Sequence, residues 1–380
     1  MLGTRTSKLL KSLRVVQELT VSRFIEDIRI LRRRQLIRRD HSSNVGPFLS
    51  VHRTVQWNVL LDISENENYR WQCFRNAMTI LRQGCPMVSP LNIPEPEKWP
   101  DFEKYVPQVL NVRSHCLWPE PPIEPPVDFA DLLSDLGTYM WHAGLADAGQ
   151  DALETVLDVY NKEKVPENDE RRSNVYSKLG ILISFNGVSD RKETMKYRMK
   201  AWDARHEVFK SIPKNKITRE DEINLYTVKS DLAYTYWHEE RFEDVERIMT
   251  ECFEQYKKWD TEEKIPFEYG KYYHLMGFVR LWQKRPEEAV RFSRRAADLF
   301  QMAAGVGHPM TQLWRFGLGC VSYHVGELQR AWEIMEDVRK DRIQICGEYN
   351  HYTLESYSTC GALLMRLNRL DEAEYVTQVH

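Results

Sequence analysis

The chain has 380 residues, with 53 Lys/Arg against 56 Asp/Glu, 29% charged and 11% aromatic, and a mean hydropathy of −0.56. That balance excludes a disordered polyelectrolyte, and no run of 18 apolar residues exists to span a bilayer. The small net charge of −3 hides an asymmetry: residues 1–60 carry 12 Lys/Arg against 4 Asp/Glu, the other 320 residues 41 against 52.

At the N-terminus, Arg5, Lys8, Lys11 and Arg14 precede the first acid, Glu18, while Leu9, Leu10, Leu13 and Val16 share a helical face. A basic surface helix is favoured over a mitochondrial presequence, because the basic pattern runs well past any cleavage point. No uninterrupted apolar core for a secretory signal is present. Seven scattered cysteines without a CxxC pair point to buried free thiols and a reducing compartment, so a cytoplasmic or nuclear protein is expected.

Residues 21–60 place Phe24, Ile28 and Leu31 at helical spacing, then a strand-like QLIRR, the turn-forming DHSSNVGP, a strand-like FLSVH and a helical RTVQWNVLLDI. Helix, strand, turn, strand, helix reads as the back half of a winged-helix domain. Arg32, Arg33, Arg34, Arg38 and Arg39 could neutralise phosphates there, which makes a DNA-binding regulator the rival reading. A winged helix used as a structural spacer is favoured, since arginine on an exposed wing is common.

Residues 66–84 form an amphipathic helix with Trp71, Phe74, Ala77, Met78 and Leu81 inward. Eleven of the 17 prolines then fall within 86–126, five of them in WPEPPIEPPVD (118–128), which predicts a semi-rigid extended strap. The expected organisation is a basic head over 1–62, a helix plus Pro-rich connector over 63–126, and repeats over 127–380.

The repeats show in three aligned stretches, MGFVRLWQKRPEEAVRFSRRA (276–296), LGCVSYHVGELQRAWEIMEDV (318–338) and CGALLMRLNRLDEAEYVTQVH (360–380). Gly277, Gly319 and Gly361 are each followed twelve residues on by Ala289, Ala331 and Ala373, with turns at Lys284, Gly326 and Asn368. A small residue in the first helix and alanine in the second let two helices cross closely. Weaker copies put small residues at Gly137, Gly180 and Ala233, so the spacings are 43, 53, 44, 42 and 42. The long one is assigned to a polar insert at 211–222. The connectors GHPMT (307–311) and NHYT (350–353) also recur. Hairpins that cannot bury their apolar faces alone must stack, so the expected fold is all-α, a helical solenoid of five full units and a sixth broken off after two turns. That break is expected to leave Ala373, Tyr375 and Val376 without a following helix.

These hairpins resemble tetratricopeptide repeats (TPRs) in the LG pairs at 136–137, 179–180 and 318–319, in Tyr236, and in Ala289 and Ala296. The 42-residue spacing looks more like the longer kinesin-light-chain variant. The head resembles the junction of fungal NLR-like (STAND) proteins in Leu36-Ile37-Arg38, in Ser50 to Gln56 (SVHRTVQ) and in PEPEKWPDFEKYVPQVLNV (94–112). Those proteins carry a phosphate-binding GxxxxGK[ST] loop, which this chain lacks, so the likeness extends to winged helix, linker and repeats but not to NTP-driven switching.

In TPRs the first helices line a concave groove, and the resemblance implies that Trp141, His142, Trp237, His238, Tyr323, His324 and Trp282 face it, with Tyr234 and Phe278 nearby. Aromatic–histidine pairs in a groove suit a protein or peptide partner. Some TPRs clamp chaperone tails with Lys, Asn and Arg; Ser134, Thr138, Ser177 and Ile181 stand at those places, so that capture is not supported. The sequence contains no HExxH, GxSxG or Rossmann glycine run and no zinc-ligand spacing. The expectation is a non-catalytic interaction module, a regulator, scaffold or pathway accessory, without cofactor or metal.

Overall fold

The computed structural model describes residues 28–42, 46–88, 95–117, 122–185 and 191–377. The presequence-like segment, residues 118–121 of the Pro-rich run, residues 186–190 and the last three residues lie outside them. The chain divides into two compact units, one of Met1–Met87 with Glu97–Leu132 and one of Val88–Pro96 with Leu133–His380.

In the first unit, β1 (Ile37–Ser42) pairs antiparallel with β2 (Gly46–Val51), Ile37 opposite Val51 and Ser42 opposite Gly46. This hairpin is the only sheet among the described residues. Helix α1 (Arg53–Ser64) follows, its N-terminus capped by His52 Nδ1, which accepts from the Thr54 N–H at 3.3 Å. The two strands and the helix come in the order read from the sequence; the helix before them is described over 28–33 only. Helix α2 (Glu67–Gly84), capped by Asn66, buries Phe74 and Leu81 and half-buries Trp71, Ala77 and Met78, the face expected of it.

Where an extended strap is expected, the chain instead forms α3 (Trp99–Leu117), with Pro107 inside it. Proline removes one backbone hydrogen bond. Here Phe102, Val106, Val109 and Cys116 recur at helical spacing and are all buried, and their burial outweighs the lost bond. The composition of this stretch pointed to a strap; its apolar period, which decides the matter, pointed to a helix.

The second unit is a TPR-like solenoid. Its hairpins are α4 (Val127–His142) with α5 (Ala146–Lys162), α6 (Glu170–Phe185) with α7 (Arg191–Ser211), α8 (Arg219–His238) with α9 (Phe242–Trp259), α10 (Pro266–Trp282) with α11 (Pro286–Ala304), α12 (Pro309–His324) with α13 (Leu328–Cys346), and α14 (His351–Arg366) with α15 (Leu370–Thr377). Only residues 212–218 of the expected insert lie between helices, and they include a short 3₁₀ turn at Lys214–Lys216. Residues 219–222 are instead the first turn of α8, opened by a capping box in which Thr218 and Asp221 bond reciprocally.

The small residues sit where helices cross. A side chain at Gly277 would meet Ser293 Oγ at 2.5 Å, one at Gly319 the Met335 side chain at 2.6 Å, and one at Gly361 the Thr377 methyl at 2.6 Å. Val245, Ala289, Ala331 and Ala373 on the second helices are buried.

The turns repeat as closely as the helices. Gly144, Glu240, Lys284, Gly326 and Asn368 all have positive φ, between 59° and 88°. At each, the next residue's N–H reaches five residues back, as in Arg285 to Arg280 O at 2.9 Å and Glu327 to Ser322 O at 2.9 Å. This left-handed stop satisfies the last carbonyls of the first helix and aims the chain into the second. Lysine pays a steric penalty there that glycine does not, so Lys284→Gly is expected to raise stability by about 1 kcal/mol in urea unfolding, and Gly326→Ala to lower it by a similar amount.

The connectors repeat too. Gly305 and Gly347 end α11 and α13 at φ 82° and 91°. Thr311 Oγ1 donates to Gly305 O at 2.6 Å and Thr353 Oγ1 to Gly347 O at 2.8 Å. His308 and Asn350 cap the following helices, accepting from the N–H groups of Met310 and Tyr352.

Across the concave side the solenoid touches itself. Tyr352 Oη donates to the Trp141 carbonyl at 2.8 Å, and Asn350 Nδ2 to the Ala143 carbonyl at 2.7 Å. Tyr352 is itself held from behind by buried Arg342, whose Nη1 donates to the Tyr352 carbonyl at 2.5 Å and to Ser356 Oγ at 2.8 Å. The tip of the first hairpin thus rests on the start of the sixth first-helix.

None of the seven cysteines is in a disulfide. Burial pushes the thiols of Cys116, Cys252, Cys320 and Cys360 up to about 12.

Candidate functional site

The first helices of successive hairpins carry one position forward on the concave side, and that position is aromatic in several. Trp237, His238, Phe278, Trp282 and His324, from α8, α10 and α12, line one open groove of about 790 Å³ together with Phe242, Leu281 and Pro286. Trp282 is 43% exposed and stacks on Phe242 at 5.3 Å. Trp237 lies 4.7 Å from Phe278. His238 and His324 are open to solvent. Protein nevertheless crowds the rest of the His238 ring, and this partial burial first, then Arg198 and Arg191, holds its pKa down at about 4. It is neutral at pH 7, a donor and an acceptor at once.

The other sequence-predicted residues go elsewhere. Trp141 packs on Phe267, Phe300, Met310 and Trp314 of the opposite wall. Buried His142 meets His308 edge-to-face at 5.3 Å. These two therefore help close the first hairpin onto the fourth and fifth. Tyr323 accepts a hydrogen bond from Arg366 Nη1 at 3.0 Å and lies beneath its guanidinium, which ties α12 to α14. Tyr234 lies deeper, stacked 5.9 Å from His274.

Beneath the open groove, and sharing Trp237, His238, Phe278 and His324 with it, is an inner chamber of about 390 Å³. Its walls are aromatic: Trp141, Phe267, His274 and Trp314 join the shared rings. His274 meets Trp314 edge-to-face at 4.1 Å and Phe278 at 5.2 Å. Burial, helped by nearby His238, drives its pKa down to about 3.

The floor of the chamber is charged. Arg198 Nη1 lies 3.3 Å from Asp231 Oδ2, and Lys271 Nζ lies 3.4 Å from Asp231 Oδ1, all three residues being buried. Ser177 Oγ donates to the same carboxylate at 3.0 Å. Arg198 comes from a second helix, α7, and reaches the chamber because Gly180 leaves room: a side chain at Gly180 would meet Arg198 Nε at 2.9 Å. Gly317 does the same for His274, at 2.7 Å from its ring. None of Arg198, Asp231, Lys271, His274 or Trp314 was singled out from the sequence. The available signal was charge at inward positions of α8 and α10, and Gly317, a glycine beyond those the hairpin pattern requires.

In the first unit, Arg32, Arg33, Arg34 and Arg38 are exposed, Arg38 on β1, and Arg39 follows it on the same strand with its backbone opposite Leu49. Among the described residues, no cluster of His, Cys, Asp and Glu is placed to hold a metal ion, and no helix is long and apolar enough to cross a membrane.

No family profile matches the chain, and no curated protein matches it. Solved structures with similar architecture include TPR-like repeats of a putative kinesin light chain from Podosopora anserina, 15% identical over 56% of this chain and 94% of that one, with a TM-score of 0.35. A STAND ATPase with a tetratricopeptide repeat sensor from Pyrococcus horikoshii is 13% identical; 86% of this chain aligns with 46% of that one, at a TM-score of 0.39. The apo quorum sensor NprR from B. thuringiensis is 10% identical over 86% of this chain and 97% of that one, with a TM-score of 0.43. The likeness is one of repeat architecture and extends to no ligand or partner.

Proposed function

We propose that this chain is a non-catalytic recognition module that holds an apolar-anchored peptide segment of another protein in the open groove of α8, α10 and α12. The observation that carries this reading is the convergence of Trp237, Phe278 and Trp282, from two successive hairpins, on one groove with Trp282 still 43% exposed. An exposed tryptophan in one groove with the neutral His238 offers a large contact area at low entropy cost, with polar atoms to fix orientation. In this reading the basic head is a structural spacer and the repeats are the recognition surface.

The test is selection of a displayed peptide library on the full chain, followed by affinity measurement on the enriched sequences. Peptides carrying aromatic or aliphatic anchors are expected, and Trp282→Ala is expected to weaken them about tenfold or more. Trp141 and Tyr323 are poor choices for such a test because they hold hairpins together. Undiminished affinity in Trp282→Ala would remove the groove from the account.

A further inference from the structure

In the side chains that wall the inner chamber the polar atoms do not balance. Among the described residues, Arg198 Nε, Trp141 Nε1 and Trp314 Nε1 are buried without a hydrogen-bond partner, and so are the hydroxyls of Thr194, Thr235 and Tyr234. All six residues line the chamber. The first three atoms can only donate, and the hydroxyls can do either. The two acids on the wall are already engaged, Asp231 by Arg198 and Lys271, Glu355 by Arg342 at 3.0 Å. Arg198, Thr194 and Thr235 are 5%, 4% and 3% exposed, so bulk water does not relieve them. A native fold tolerates few such groups, because each gives up its hydrogen bonds to water and gains none in return, and here the residues that carry them wall one cavity.

We propose that this chamber is a binding site for a carboxylate carried on a flat apolar body. The rings of Trp141, Phe267, Trp237 and Trp314 would hold the body, and the surplus donors would take the carboxylate oxygens. A carboxylate offers acceptors only, whereas a water brings two more donors and leaves the surplus standing. The shared chemistry could come from a free small acid or from the C-terminus of a peptide ending in an aromatic residue. The chamber reading does not rest on the outer groove, because its readout is the binding heat of defined compounds and not the capture of a partner.

The test is calorimetric titration of the full chain with 2-naphthylacetate and its primary amide, and with N-acetyl-Gly-Gly-Phe and its C-terminal amide. At least one carboxylate is expected to bind saturably, with Kd below about 1 mM, and its amide about tenfold or more weakly. The tighter carboxylate identifies the source. Thr235→Val and Thr194→Val remove an unpartnered hydroxyl at nearly constant shape, so each is expected to keep or raise Tm while weakening the carboxylate about fivefold. Failure of both carboxylates to bind, equal binding of acids and amides, or unchanged affinity in both folded valine variants would overturn the proposal.

Discussion

Lowering the pH from 7.5 to 5.0 is expected to remove several kcal/mol of stability, chiefly through His274 and His308. An unfolded histidine titrates near 6.5, whereas burial holds folded His274 at about 3 and His308 at about 4. Below pH 6.5 the unfolded chain therefore binds more protons than the folded one. The contribution of each group is full above 6.5 and lost progressively as pH falls toward its folded value. At pH 5 that amounts to about 2 kcal/mol for each of the two. His142, fully enclosed beside His308, is shifted the same way. Buried Glu268, whose pKa is raised by desolvation, acts with the opposite sign, because its folded form accepts a proton more readily. Urea unfolding at the two pH values measures the difference. His274→Gln keeps a polar side chain that does not titrate, so the pH difference should shrink by about 2 kcal/mol even if the variant is less stable throughout. An equal pH difference in both proteins would show that the cage of Tyr234, Phe278 and Trp314 does not hold this imidazole neutral.

The second large effect is expected at Asp231. One buried carboxylate serves two buried cations, Arg198 and Lys271. Asp231→Asn removes the carboxylate that both cations share, leaving Lys271 only the electrostatic influence of Glu268, and is expected to cost about 3–5 kcal/mol in urea unfolding. Breaking a buried pair is far more damaging than replacing it with matched apolar groups. The triple change Asp231→Leu, Arg198→Leu, Lys271→Met should therefore recover most of the loss. A single Asp231→Asn variant with wild-type stability would mean that water reaches the cluster and screens it.

The repeat period, the crossing residues and the turn positions were legible in the sequence because each hairpin solves the same local problem. Gly277, Gly319 and Gly361 face a second helix, and Lys284, Gly326 and Asn368 take the left-handed turn. The outer groove was legible for a related reason: residues at equal register in stacked units must fall side by side. What could not be read was anything set by the curvature of the stack. Trp141 and Trp237 occupy the same register, yet one packs into the opposite wall and the other lines the groove. The distance across the concave side decides that, and it is the sum of several small rotations between units. The role of Gly180 was likewise hidden, because glycine looks the same whether it admits a neighbouring backbone or an arginine side chain. In α3 two rules competed, and the apolar spacing of Phe102, Val106 and Val109 overrode Pro107.

A linear stack of hairpins gains cooperativity only from neighbour to neighbour, so its outermost members fray first and melting spreads inward. The bonds from Asn350 and Tyr352 to the carbonyls of Ala143 and Trp141 join members 207 and 211 residues apart. They give the first hairpin a second neighbour at the far end of the series. The array is energetically closer to a ring than to a rod, and neither the first nor the sixth hairpin can peel away without breaking the bonds that span the rest.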